Sequence, residues 1–370
     1  MAGAKVPFFG VAREYAACGA DMLPLVEAAL ASGGLLQGAE VSSFEQELAA
    51  YCGRTHAVAV GSCTDALFFC LVAAGVGQGD EVLVPDFSFV ASASCILRAG
   101  ATPVFCDVDP WGNMDLDKAA KLATPRTKAM IYVHLYGRMG QPAGIEAFAR
   151  ERGIALIEDA AQAIGAAHGE RRAGSMGLAG CISFDPTKPL SCLGSGGAVT
   201  TDDPALAEDI RSLRYHGRDA ARKFSRLGYN SQMPTASAAL LRYKLRQDPA
   251  WGDRRREIAT RYCDALEPLG LAVPREEPGT RHIYHKFVIK TQRRDELAAH
   301  LKAQGIEVMV HYADALHAHP LFAPALPQGG PSSPNAQALA ATALSLPMHP
   351  WLTEADIQAV LQAVGGFFGK

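Results

Sequence analysis

The chain lacks most features that would place it outside the ordinary globular enzymes. It has no basic excess. Thirty-five Lys and Arg stand against 38 Asp and Glu, for a net charge of −3, so the electrostatic footprint of a nucleic-acid binder is missing. No apolar run reaches the ~20 residues that span a bilayer. Residues 1–12 show no basic head followed by an apolar block, so no secretory leader is expected there. The nine cysteines (18, 52, 63, 70, 95, 106, 181, 192 and 263) include no CxxC pair and no regular spacing. Their odd number and apolar settings, as in Phe68-Phe69-Cys70-Leu71, read as buried free thiols of a reducing cytosol. Internal repeats and low-complexity tracts are absent. What is present is 370 residues, 49% of them hydrophobic. That suffices for a large domain and a smaller companion. The expectation is a cytoplasmic enzyme with no membrane or nucleic-acid partner.

From residue 56 to about 201, short apolar runs alternate with segments of helical periodicity. Strands are expected at 56–60, 81–85, 102–108, 129–134, 155–158, 181–184 and 198–201, and helices at 65–74, 91–98 and 145–152. This alternation predicts an α/β fold with a mostly parallel seven-stranded sheet covered on both faces. After about 245 the pattern changes. A helix is expected at 253–266, a strand at 282–290, a helix at 295–304 and a strand at 307–310. A Pro-, Gly- and Ser-rich loop follows over 320–334, then a last helix capped near Thr353. The predicted organisation is an arm over 1–25 packing back on the body, a large α/β domain over 26–245 and a small α+β domain over 246–370.

In open α/β sheets ligands bind past the carboxyl ends of the strands. Four such places carry chemistry. Gly61-Ser62-Cys63-Thr64-Asp65 leads from a strand into a helix. It reads either as a phosphate cradle or as an ordinary turn capped by Thr64 or Asp65. Asp86-Phe87-Ser88-Phe89 offers an aromatic to stack on a flat ring, or two core residues. Glu158-Asp159 ends a buried strand with carboxylates on opposite faces. One could pair with a ring-nitrogen cation, or Asp159 could simply cap the next helix. Lys188, in an apolar stretch beside Pro189, is either a surface charge or a desolvated amine able to attack an aldehyde.

Other motifs do not assemble. Gly75-Val76-Gly77-Gln78-Gly79 precedes a strand instead of following one, so it is not a dinucleotide loop. His282 and His285 are expected on opposite faces of one strand, and His317 and His319 lack a third ligand at suitable spacing. No metal is expected.

The four features occur in this order in a known family. The chain resembles the PLP-dependent sugar aminotransferases of fold type I, the DegT/DnrJ family, over nearly its whole length. Carrying blocks include Gly79-Asp80-Glu81-Val82, Gly100-Ala101-Thr102-Pro103-Val104-Phe105, Ile157-Glu158-Asp159-Ala160-Ala161-Gln162, residues 183–197, Gly228-Tyr229-Asn230 and Leu344-Ser345-Leu346-Pro347-Met348. The resemblance implies that Lys188 forms a Schiff base with PLP and shuttles the proton. It implies that Asp159 holds the pyridine nitrogen protonated and that Gln162 contacts the phenolic oxygen. Phe89 would stack on the ring, and Thr64, Asp65 and Ser183 would hold the phosphate. Asn230 would reach the phosphate of a neighbouring subunit, which implies a homodimer with shared active sites.

The implied reaction moves an amino group from an amino acid, L-glutamate, to a keto sugar on a nucleotide. The turn Ser195-Gly196-Gly197, seven positions beyond Lys188, resembles members that aminate 3-keto rather than 4-keto sugars. Lys188-Pro189-Leu190 followed by Cys192 resembles the branch acting on 3-keto uronic acids. Gln232, Ser195 and Pro234-Thr235-Ala236-Ser237 depart from the family pattern on the expected substrate side. His216, His311 and Tyr312 are candidate substrate contacts. The alternatives are a free keto-cyclitol acceptor and a non-catalytic PLP-binding regulator.

Overall fold

A computed structural model of the chain describes residues 6–326 and 330–369. Its centre is a seven-stranded sheet. The strands are β1 (His56–Val60), β2 (Glu81–Pro85), β3 (Thr102–Cys106), β4 (Thr127–Val133), β5 (Ala155–Asp159), β8 (Ala179–Ser183) and β9 (Gly197–Thr201). A small ladder of β6 (Ala167–His168), β7 (Arg171–Arg172) and β10 (Thr280–Arg281) lies beside it. The large sheet runs β1-β9-β8-β5-β4-β2-β3. Its pairs are parallel from β3 through β8, and β9 alone runs against its neighbours.

Both faces of the sheet are covered, which is why its strands are apolar throughout. On one face Val60, Val84, Val133 and Ile157 pack on α3 (Cys63–Ala73), α4 (Ala91–Arg98) and α7 (Pro204–Arg214). On the other, Ala59, Leu83, Met130 and Leu156 pack on α2 (Ala39–Cys52), α6 (Pro142–Arg152) and the first half of α8 (Thr235–Leu266). A third core joins the second half of α8 to β11 (Phe287–Lys290), β12 (Ala343–Leu346), α9 (Arg294–Ala303) and α11 (Glu354–Phe367). Thr353 caps α11, and Asp356 returns the bond in a capping box. All nine cysteines are free and buried. Among the described residues no helix is long and apolar enough to cross a membrane, and no cluster of His, Cys, Asp or Glu is arranged to hold a metal ion.

Several elements differ from the sequence expectation. The border expected at 245/246 falls inside α8, which feeds both cores without a break. The arm border at 25 falls inside α1 (Val11–Ala31), which is tied to α8 by Lys244–Glu14 and Tyr243–Asp21 contacts. Val6 joins the C-terminal core and bridges to Ile306. The 307–310 stretch makes only an isolated bridge from Met309 to Ser345. The expected strand at 282–290 narrows to β11. Residues 282–286 leave the ladder: the Ile283 and Lys286 N–H groups donate to the Gly137 and Tyr136 carbonyls, that of His282 to Glu276 and that of Tyr284 to His282. In the expected loop, Pro320–Ala325 forms a 3-10 helix with Phe322 buried beneath it. Residues 327–329 of that loop lie outside the described residues, and α10 (Pro334–Thr342) begins at its end. The short helix α5 (Leu116–Leu122), capped by Asp115, follows β3.

Candidate active site

The carboxyl ends of β1, β2, β5 and β8 open on one cleft of about 360 Å3. Lys188, Asp159, Phe89, Gln162, Ser183, Thr64, His311 and Tyr312 all line it. The α3 end of the cleft is capped by Ser62, whose hydroxyl accepts from the Asp65 N–H at 3.1 Å. Gly197 is needed there, since a Cβ would lie 2.4 Å from the Cys63 nitrogen. The close approach brings β9 against the positive end of the helix, a natural seat for an anion. Thr64 faces the cleft. The Asp65 carboxylate does not line it, because it pairs with Arg98 at 2.6 Å and accepts from Ser231 at 2.7 Å.

The two carboxylates ending β5 part company as the pleat requires. Glu158 is fully buried and accepts from the Gly174 and Met176 N–H groups at 2.7 Å each, with His134 Nε2 at 2.8 Å. Asp159 enters the cleft. Its Oδ2 accepts from the Ser92 hydroxyl at 2.7 Å and its Oδ1 from the Ala161 N–H at 3.1 Å, and Ser88 backs Ser92 at 2.9 Å. Asp159 presents its carboxylate to the cleft; among the described residues no helix directly follows β5 for it to cap, and its Oδ1 closes only a turn on the Ala161 N–H. Burial raises its pKa, while these donors and Lys188 favour the charged form.

Lys188 stands past β8, in a turn closed by its N–H on the Asp185 carbonyl at 2.9 Å. It is half-buried, not a surface charge. Burial lowers its pKa, opposed by Cys63, Asp159 and Asp185. That increases the fraction of neutral amine able to attack a carbonyl carbon. Phe87 is buried in the core, whereas Phe89 is 52% exposed and stands in the cleft, free to stack on a flat ring.

The facing wall comes from residues 282–312. Gln162 accepts from the Tyr136 N–H at 3.0 Å and donates to the Tyr312 hydroxyl at 3.2 Å. The His311 Nδ1 lies 2.9 Å from the Ser345 hydroxyl, and its carbonyl accepts from Tyr136. Burial, then Lys286 and Lys188, push His311 down to about 3, so the ring is neutral. Asn230 and His216 are exposed and lie outside this chain's own cleft. Gln232 is tied to Gln37 at 2.5 Å, and Ser195 lines the cleft.

Sequence reasoning missed Ser88, Ser92, His285 and Lys286, which also line the cleft. Ser88 and Ser92 are four apart and directly follow the Phe87 turn, a signal that was available. Lys286 had none, because its burial comes from Phe8 and Phe9.

The sequence model of the DegT/DnrJ/EryC1/StrS aminotransferase family matches residues 17–365. The chain belongs to that family. A "Pleiotropic regulatory protein" of Geobacillus stearothermophilus is 39% identical over 98% of this chain and 99% of its own length. The dTDP-3-amino-3,4,6-trideoxy-alpha-D-glucose transaminase of Streptomyces venezuelae is 39% identical over 97% of this chain and 95% of its own. The crystal structure of S. venezuelae DesV in complex with a ketimine intermediate aligns with a TM-score of 0.95 at 38% identity, covering 99% of each chain. DegT-family aminotransferases depend on PLP, and the donor set here fits that cofactor. A buried carboxylate, an exposed ring, a capped helix N-terminus with the Thr64 and Ser183 hydroxyls, and a desolvated amine converge on one cleft. The chain is a PLP-dependent aminotransferase of fold type I.

Proposed function

We propose that this enzyme moves the amino group of L-glutamate to a 3-keto sugar carried on a nucleotide. The observation that carries the reading is Lys188, held half-buried across one cleft from Asp159 and Phe89. The transaminase named for a 3-amino nucleotide sugar and the long Lys188–Gly196 turn support the C3 position.

The cofactor, when bound, supplies an electron sink beside the carbon that loses its proton. The chain's own residues do the rest. Lys188 carries the proton between carbon centres, and burial lowers its pKa against the pull of Cys63, Asp159 and Asp185. Asp159, oriented by Ser92 and the Ala161 N–H, holds a proton on a ring nitrogen. Phe89 fixes the ring plane, and Gln162, locked between Tyr136 and Tyr312, presents its amide to a ring oxygen. Thr64, Ser183 and the α3 N-terminus take the phosphate. Asp65 supports that turn through Arg98 and Ser231.

The working unit in this reading is a cytoplasmic homodimer. Its support is the apolar exposure of Val11, Tyr15, Leu23 and Leu30 on α1, continuing into Leu35 and Leu36. The exposed Asn230 would then serve the neighbour's phosphate, and the buried thiols suit a reducing compartment. The test is the visible spectrum of the PLP-loaded protein. L-glutamate alone should bleach the visible band, and a 3-keto nucleotide sugar should restore it. A band that glutamate leaves untouched would refute the donor and favour the regulator reading that the Geobacillus relative's name suggests.

A further inference from the structure

Three cationic side chains are buried among the described residues: Lys244, Arg255 and Lys286. Lys244 meets Glu14 in an ion pair. Neither of the others has a carboxylate within 4.0 Å among the described residues. Arg255 donates to the Met348 carbonyl at 3.0 Å. Lys286 is 6% exposed, and its ammonium faces the rings of Phe8 at 4.9 Å and Phe9 at 4.6 Å. A buried charge without an anion is costly, and a cation–π contact offsets only part of that cost.

The two cations share a side pocket of about 40 Å3 under the N-terminal segment. Thr187, Lys188, His285 and Lys286 line both this pocket and the main cleft, so the two adjoin at Lys286. The same wall carries the Glu14 carboxylate, which Lys244 holds, and His349, whose Nε2 faces the Pro7 carbonyl at 3.3 Å, so that its unpartnered buried Nδ1 is an acceptor and takes no part in binding an anion. The geometry is held by long-range contacts. Val6 bridges to Ile306, and the Phe8 N–H donates to Glu307 at 2.7 Å.

We propose that Lys286, backed by Arg255, is a carboxylate-binding subsite of the cleft, receiving a carboxylate of the substrate that reacts at Lys188. It rests on the aminotransferase reading above and names the polar group that the substrate must bring. The carboxylate can come from the donor amino acid or from a uronic acid acceptor, and the chemistry of recognition is the same. Charge balance agrees. Burial, then Lys188 and Arg255, push Lys286 down to about 7, with Asp185 the opposing carboxylate. The neighbouring His285 and His311 are held neutral, and the carboxylates that act on Arg255 are Asp248 and Glu14, the latter already paired with Lys244. An incoming carboxylate restores the ammonium form.

The experiment compares PLP-loaded wild type, Lys286→Met and Lys286→Arg by calorimetric titration near pH 6, where Lys286 is charged. The probes are glutarate for the donor and D-glucuronate for the acceptor. One probe should bind the wild type, weaken at least about tenfold in Lys286→Met and stay within about threefold in Lys286→Arg. Which probe it is identifies the source. Unliganded Lys286→Met should unfold at the same temperature as wild type or higher, since it sheds an uncompensated charge. Equal affinity in Lys286→Met, or no binding of either probe, overturns the subsite. A lowered unfolding temperature with unchanged affinity assigns Lys286 a packing role and overturns it too. The parent reading fails separately, if the wild-type visible band ignores L-glutamate.

Discussion

On the sheet side of the cleft, each buried acid at the end of β5 has its donors in place. Glu158 holds two backbone N–H groups and His134, and Asp159 holds Ser92 and the Ala161 N–H. Beside the facing wall, the buried cations Lys286 and Arg255 meet aromatic rings and one carbonyl, and among the described residues neither has a carboxylate within 4.0 Å; the Glu14 carboxylate on their pocket wall is held by Lys244. The difference separates a half that is complete before anything binds from a half that a ligand completes. A site built for a resident cofactor needs preorganised donors. A site that admits and releases substrate keeps its charges unmatched.

The predictions test that contrast. Lys188→Ala removes the one amine that serves both halves. Turnover should fall at least about a thousandfold, and PLP should no longer give the lysine-linked visible band. Retained transamination would break the whole assignment. Glu158→Ala should leave two backbone donors and His134 unsatisfied in the sheet-side core. A loss of roughly 3–5 kcal/mol is expected, read by denaturant unfolding of the apo protein, and a loss below about 1 kcal/mol would deny that this half is preorganised. Ser92→Ala should cost about tenfold in the glutamate half-reaction, since one hydrogen bond to a charged carboxylate is removed. Ser92 lowers the Asp159 pKa, so the acid limb of the pH profile should move to higher pH. An unmoved limb would reduce Ser92 to packing.

The smallest effect concerns the facing wall. Burial holds His282 and His311 down to about 3 and His349 to about 4. The unfolded chain then binds more protons than the folded one between those values and 6.5, so the three contribute a loss of stability as pH falls through that window. His282 accepts from the Tyr284 N–H at 2.9 Å. His282→Asn keeps an acceptor without the titration and should flatten the fall by up to about 1 kcal/mol per pH unit. Denaturant midpoints at pH 6.5 and 4.5 measure it, and identical slopes would remove His282 from the account.

Much of this molecule can be read locally. Every strand of the large sheet lies at or within a few residues of an apolar run, because a strand buried on both faces needs continuous hydrophobicity. The run around Lys188 and the Glu158-Asp159 pair announced themselves by position at strand ends. Period-two alternation put these two carboxylates on opposite faces but could not say which face held the cleft. Only the strand order, with β5 between β4 and β8, decides that. The cap of α3 shows a similar limit. Thr64 and Asp65 are both suitable types, but α3 already begins at Cys63, so both lie in its first turn and the extended Ser62 is the cap, while Asp65 turns to Arg98 and Ser231.

By itself the sequence determined the fold class and the family, offered Lys188 and Asp159 as the candidate amine and acid, and showed no basic excess. These follow from local hydrophobic period and from residues clustered in short motifs. Tertiary structure alone decided that Phe89 leaves the core, that Ser92 orients Asp159, and that α8 serves two cores. It also decided that Lys286 is buried with no carboxylate within 4.0 Å among the described residues. The reason is physical: burial and pairing depend on which distant segments pack together, and the cation at 286 meets Phe8 and Phe9 because the N-terminal segment packs on the third core, with Val6 bridging to Ile306.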